Sequence, residues 1–202
     1  MFPGEEWVTL ASSLALLYVA IASYKWSREA SALWVIAGLG FLFVSAGLAI
    51  SGLEALENPL TPFIGALYPG FLASGIIAAN TGYWRPYVAF VIAMLALMSI
   101  GKASGVEALM GASEGILHSV SGLVIIFMPL YYVYKKISPS ISVLVSVGGL
   151  LISIGGVALA SIAAGSPLLP PDLVISILHP VLFLSALTIS LGLYTSRALK
   201  GA

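Results

Sequence analysis

The chain has 202 residues, 60% of them apolar, with eight Lys or Arg, eight Asp or Glu and no Cys. That balance excludes a soluble globular domain. The lack of Cys excludes disulfides, thiolate metal sites, iron–sulfur clusters and covalently attached c-type haem.

Apolar runs of about twenty residues must satisfy their own backbone in lipid, so the expected fold is all-α and polytopic. The N-terminal Met1-Phe2-Pro3-Gly4-Glu5-Glu6 carries acid where a secretory signal carries Lys or Arg, so the first span, about 7–24, reads as permanent. The second span is expected over about 30–53, before Glu54 and Glu57, and the third over 61–83, after Pro59 and Pro62. The fourth, 86–102, begins on a proline that a first helical turn tolerates. The fifth is expected over 112–134, the sixth over 139–164 and the seventh over 171–195. Every connection is short, so residues 1–202 form one transmembrane domain with no room for a soluble one.

Arranged by connection, Lys25, Arg28, Arg85, Lys135, Lys136, Arg197 and Lys200 fall on one side, and Lys102 falls on the other. Basic residues in short loops mark the cytoplasmic side, so the chain is expected to run N-out and C-in. Glu5, Glu6, Glu54, Glu57, Glu107, Glu114 and Asp172 lie on the outer side, and Tyr24, Tyr83, Trp84, Tyr87, Tyr131, Tyr132, Tyr134 and Tyr194 crowd the inner boundary. The expected location is the cell membrane of an archaeon or bacterium, with lipids and not nucleic acid as partners. Gln is absent and Asn occurs only at 58 and 80, which points towards a thermophilic source.

Residues 1–85 and 111–197 carry a faint repeat. Tyr24-Lys25 matches Tyr134-Lys135, Gly40 and Gly47 match Gly149 and Gly156, and Leu67-Tyr68-Pro69, Ser74 and Tyr83 match Leu178-His179-Pro180, Ser185 and Tyr194. Three helices, a linker helix and three more make a parallel 3+1+3 repeat. In architecture this resembles the sugar transporters called SWEETs and, more loosely, the rhodopsins. No Lys in the seventh helix is available for a retinal Schiff base, and fold-level likeness does not assign function.

Ionisable groups inside a membrane are the first functional candidates, and here they are His118 and His179. Both stand on helices starting from the outer face, at an expected depth of roughly 10 Å. Two imidazoles at equal depth suit a haem b with two axial histidines, held in the outer half of the bilayer for electron transfer. Gly111, Gly115 and Gly122 share the face of His118 and leave room for a flat ring, with Ser119 and Ser121 beside it. On the seventh helix, Ser176 shares the face of His179, Phe183 is placed to pack on a porphyrin edge, and Pro180 kinks the turn. Lys102 is placed to meet a propionate or to pair with Glu107. Met94, Met98, Met110 and Met128 are weaker ligand candidates, since Met in apolar helices usually packs. The redox partner expected of such a protein is an electron donor or acceptor such as a quinone, and a homodimer could hold one haem in each chain.

Glu114 and Asp172 share the faces of His118 and His179, a donor set for a divalent metal or a proton path. Asp172 stands about 10 Å from His179 along the axis, too far for one compact site. The zinc-dependent seven-helix hydrolases of the ceramidase and progestin-receptor-like group are similar in helix number, but the third His of their motif is absent here. The alternative from another class is a small transporter or channel, with Tyr68, Asn80, His118 and His179 along its pathway. The blandest alternatives are histidines that only bond a neighbouring helix, and a structural subunit without chemistry of its own.

Overall fold

A computed structural model of the protein describes residues 5–163 and 167–195, with side chains from Trp7 onward except at 53, 57 and 159–163. Those residues are helical or in short turns, with no strand among them. The helices are α1 (Glu5–Ala22), α2 (Arg28–Ser51), α3 (Thr61–Asn80), α4 (Trp84–Ser104), α5 (Glu107–Tyr134), α6 (Val143–Ala163) and α7 (Pro171–Thr195). All seven provide spans long and apolar enough to cross a membrane, which makes this a multi-pass membrane protein. Arg197 and Lys200, and the boundaries expected at 164 and beyond 195, lie outside the described residues.

Local chemistry sets the helix ends. Ser27 is extended and its hydroxyl accepts the amide of Ala30, capping α2. Gly105, at φ 70°, closes α4 in the left-handed region, and its amide bonds to Lys102. Several ends differ from expectation, among them the start of α6, at Val143 rather than 139, after a short 3-10 turn over Ser140–Ser142. The third helix stops at Asn80 rather than 83, where Thr81 turns extended and its amide closes on Ile77. The fifth begins at Glu107 rather than 112, because Gly101 lets the backbone of Met110 approach so closely that α5 starts directly against the end of α4.

Successive helices alternate in direction, so α1, α3, α5 and α7 start at one face of the bundle, called here the N-terminal face. Lys25, Lys135 and Lys136, in connections, and Arg28 and Arg85, in the first turns of α2 and α4, sit at the opposite face. Aromatic rings accompany several of these cations: Arg28 lies 5.5 Å from the Tyr24 ring, Arg85 5.4 Å from Trp84, and Lys135 5.8 and 5.6 Å from Tyr131 and Tyr134. Such rings with cationic tips suit the level of lipid headgroups.

The packing order is not the chain order. α1 packs on α2, α2 on α3, α3 on α5, α5 on α6, α6 on α7, and α7 returns to α1. Six helices thus close a ring. α4 lies outside it, in contact with α3 and α5, and buries only Val91, Met98 and Gly101. Close approaches at glycine hold the ring: Gly40 against the Ile64 carbonyl, Gly75 against Trp34, Gly149 against Ile125, and Gly192 against Val145. The α1–α7 closure is parallel, with Thr9 at His179 near one end and Trp26 edge-on to Tyr194, centroids 6.5 Å apart, near the other. The interior is filled by side chains such as Leu16, Trp34, Leu72, Ile76, Leu117, Ile189 and Leu193, all nearly or fully buried.

Candidate functional site

Among the described side chains, the polar groups of the interior are hydroxyls, one imidazole and the Trp34 indole. None of the Asp, Glu, Lys or Arg residues with described side chains is buried. Most helix hydroxyls donate to a carbonyl three or four residues back, as Ser74 does to Gly70 and Ser153 to Gly149, each at 2.7 Å. Ser45, Tyr68, Ser138, Ser142, Ser146 and Ser190 have buried hydroxyls without a partner. An unpaired buried polar group costs about 1–3 kcal/mol, so each of these hydroxyls favours a partner.

His179 is 3% exposed, at the α1–α7 contact. Its Nδ1 is 3.3 Å from the Thr9 hydroxyl, which also stands 3.4 Å from the His179 carbonyl. A hydroxyl that donates to the carbonyl can accept Nδ1–H through its lone pair, and the neutral ring then keeps an unprotonated Nε2. Pro180, within α7, removes the amide that would bond the Ser176 carbonyl. Thr9 was not among the sequence candidates. Its only signal is the run Thr9, Ser12, Ser13 in the first turns of an otherwise apolar helix.

His118 is in a different environment. It is exposed on the perimeter of α5, and its Nδ1–H donates to the Glu114 carbonyl at 3.1 Å, again leaving Nε2. No hydrogen bond, ion pair or ring contact joins it to His179. Along their own helices, His118 stands about 16 Å from the start of α5 and His179 about 12 Å from the start of α7. His118 thus lies on the perimeter of α5 and His179 at the α1–α7 contact, two different settings within one chain.

The remaining candidates divide between these settings. Gly115 is exposed with no neighbour close to its Cβ position among the described residues, and Gly122 packs towards Ser153 of α6. Ser176 is exposed and bonds back to Leu173, Phe183 is half-buried, and Lys102 is exposed in the last turn of α4. Met98 is fully buried in the core. Asn80 is half-buried and its amide donates to Ile76. No three of the described His, Asp and Glu residues converge as metal ligands would.

Tyr68 is 6% exposed and its ring stacks on Phe41 of α2, centroids 4.8 Å apart. Its hydroxyl lies beside Ser185 of α7, outside hydrogen-bonding geometry. Ser185 donates to the Gly148 carbonyl of α6 at 2.8 Å, so its lone pairs remain available. Because α3 and α7 are not neighbours in the ring, Tyr68 reaches Ser185 across the middle.

No known protein family, curated protein or solved structure matches this chain. What its own residues define is a class: a multi-pass helical membrane protein whose interior, among the described side chains, is polar through hydroxyls, one imidazole and the Trp34 indole.

Proposed function

We propose that the protein passes small uncharged polar solutes through the interior of its six-helix ring, in the cell membrane, with the N-terminal face outside and the basic face in the cytoplasm. One observation carries the reading. The interior holds unpartnered hydroxyls and a buried imidazole but no buried carboxylate, ammonium or guanidinium among the described side chains. Hydroxyls can replace the hydration of a neutral solute, while nothing there offsets the charge of an ion. His179 and Tyr68 are then pathway residues at successive depths, and His118, on the perimeter, is not.

The arrangement of the ring favours a 3+1+3 repeat as its frame. Exchanging α1, α2, α3 with α5, α6, α7 turns the contacts α1–α2, α2–α3 and α1–α7 into α5–α6, α6–α7 and α3–α5, all of which occur. α4 has no counterpart and lies outside, as a linker would.

The test is flux. Purified protein in liposomes, followed by stopped-flow light scattering, should admit glycerol well above empty liposomes and leave sodium chloride excluded. Glycerol permeability equal to that of empty liposomes sinks the reading. The same liposomes report orientation, because a chain without Cys allows a single thiol at Lys102→Cys or Lys136→Cys to be tested from one side.

A second reading, b-type haem with electron transfer to a partner such as a quinone, is favoured by the Nδ1 bond of His118, which leaves that neutral, exposed histidine an Nε2 lone pair of the kind that ligates iron. His118 would hold such a group at the perimeter, beside the open positions of Gly111 and Gly115, with the second ligand supplied by another copy of the chain. On this reading the protein purified from haem-replete cells is red, and His118→Ala bleaches it while His179→Ala does not. A colourless folded preparation removes this alternative.

A further inference from the structure

The side chain of Tyr68 crosses the ring. It starts on α3, lies against Phe41 of α2 and ends beside Ser185 of α7, a helix that does not adjoin α3. At that level a solute following the axis must meet the phenol. The hydroxyl is buried and unsatisfied, although an acceptor stands close by. Ser185 has committed its proton to Gly148 and retains lone pairs.

We infer that Tyr68 and Ser185 form the solute-selecting constriction of the pathway, with the Tyr68 hydroxyl as the donor that an uncharged hydrogen-bond acceptor must engage to pass. This rests on the solute-passage reading above. Without solute, Ser185 is the acceptor beside the hydroxyl. With an acceptor such as an alcohol or amide oxygen present, the phenol donates to it instead. The hydroxyl then leaves Ser185 at no net loss of hydrogen bonds, whereas an apolar molecule of the same size would strand it. Pro69 follows Tyr68 in α3 and frees the Gly65 carbonyl, which gives this turn more freedom than an unbroken helix.

The test uses the full chain in liposomes with glycerol as the probe. Tyr68→Phe keeps the ring and its stack on Phe41 and removes the donor, so glycerol flux should fall about three- to tenfold, the worth of one hydrogen bond, with an unchanged melting temperature in detergent. Hydration of the constriction is read separately through Ser185→Cys. In a chain that otherwise lacks thiols, that cysteine should react with methyl methanethiosulfonate far faster than Leu72→Cys, which sits in the dry core. Unchanged glycerol flux in Tyr68→Phe, or a Ser185→Cys as inert as Leu72→Cys, overturns the inference. If the wild type still passes glycerol in that case, the solute reading survives with its path elsewhere. Absence of glycerol flux in the wild type overturns the reading, and with it any role of Tyr68 in passage.

Discussion

Gly75→Ala should sharply lower the melting temperature of the detergent-solubilised protein. A Cβ at this position overlaps the Trp34 indole, closest at Nε1 and Cδ1. That indole is 1% exposed, and its Nε1 donates to the Leu72 carbonyl at 3.3 Å. It cannot tip aside without breaking this bond in a place where no water replaces it. Overpacking of this kind costs about 1–3 kcal/mol, and an indole N–H left unpaired adds about 1–3 kcal/mol. The obstacle is a side chain, so it can be trimmed. Trp34→Leu alone leaves a cavity and destabilises, but Trp34→Leu combined with Gly75→Ala should melt higher than the two single losses predict by addition. A wild-type melting temperature for Gly75→Ala would mean that α2 and α3 are not in this close contact.

At Gly148 the obstacle is backbone, and the expected result is correspondingly worse. A Cβ there stands 2.6 Å from the Ser185 carbonyl oxygen, from Ile189 Cγ1 and from Thr188 Oγ1. Isoleucine can change rotamer, but the carbonyl belongs to α7 and moves only with the helix. Gly148→Val must therefore push α6 and α7 apart, losing the Ser185 bond to the Gly148 carbonyl and the fit of Gly192 on Val145. The protein should lose its monodisperse peak on size-exclusion chromatography. Adding Ile189→Ala should not restore it, in contrast to the rescue expected at Gly75. A Gly148→Val variant that elutes and melts like the wild type would contradict the packing of this helix pair.

The span count was readable because it follows from hydropathy and prolines, which act along the chain. The rotation of each helix about its axis was not readable. Gly111, Gly115 and His118 share a face in any α-helix, but which neighbour that face meets depends on packing order. The order here skips α4, so α5 lies beside α3 as well as α6. His118 consequently ends on the perimeter while His179, on a helix of similar hydropathy, turns inward to Thr9. Tyr68 was legible as a polar residue in a membrane helix. Its reach to Ser185 was not, because residues 68 and 185 meet only when the ring closes between α1 and α7. The start of α5 was missed for a local reason: Glu107 read as loop, yet the glycine at 101 admits the backbone of Met110 and lets the helix begin there.

α3 ends at the basic face, and its neighbour α5 begins at the other. The chain must travel back across the lipid before it can lay α5 alongside, and α4 is that return journey, clamped to the two helices it joins and bare on its remaining flank. Its contribution is one of length and greasiness rather than shape. Wholesale replacement of its lipid-facing residues, Ile92, Ala93, Ala96 and Ile100, by other apolar side chains should leave the six-membered wall intact. The molecule carries one passenger helix so that six others can stand in a circle.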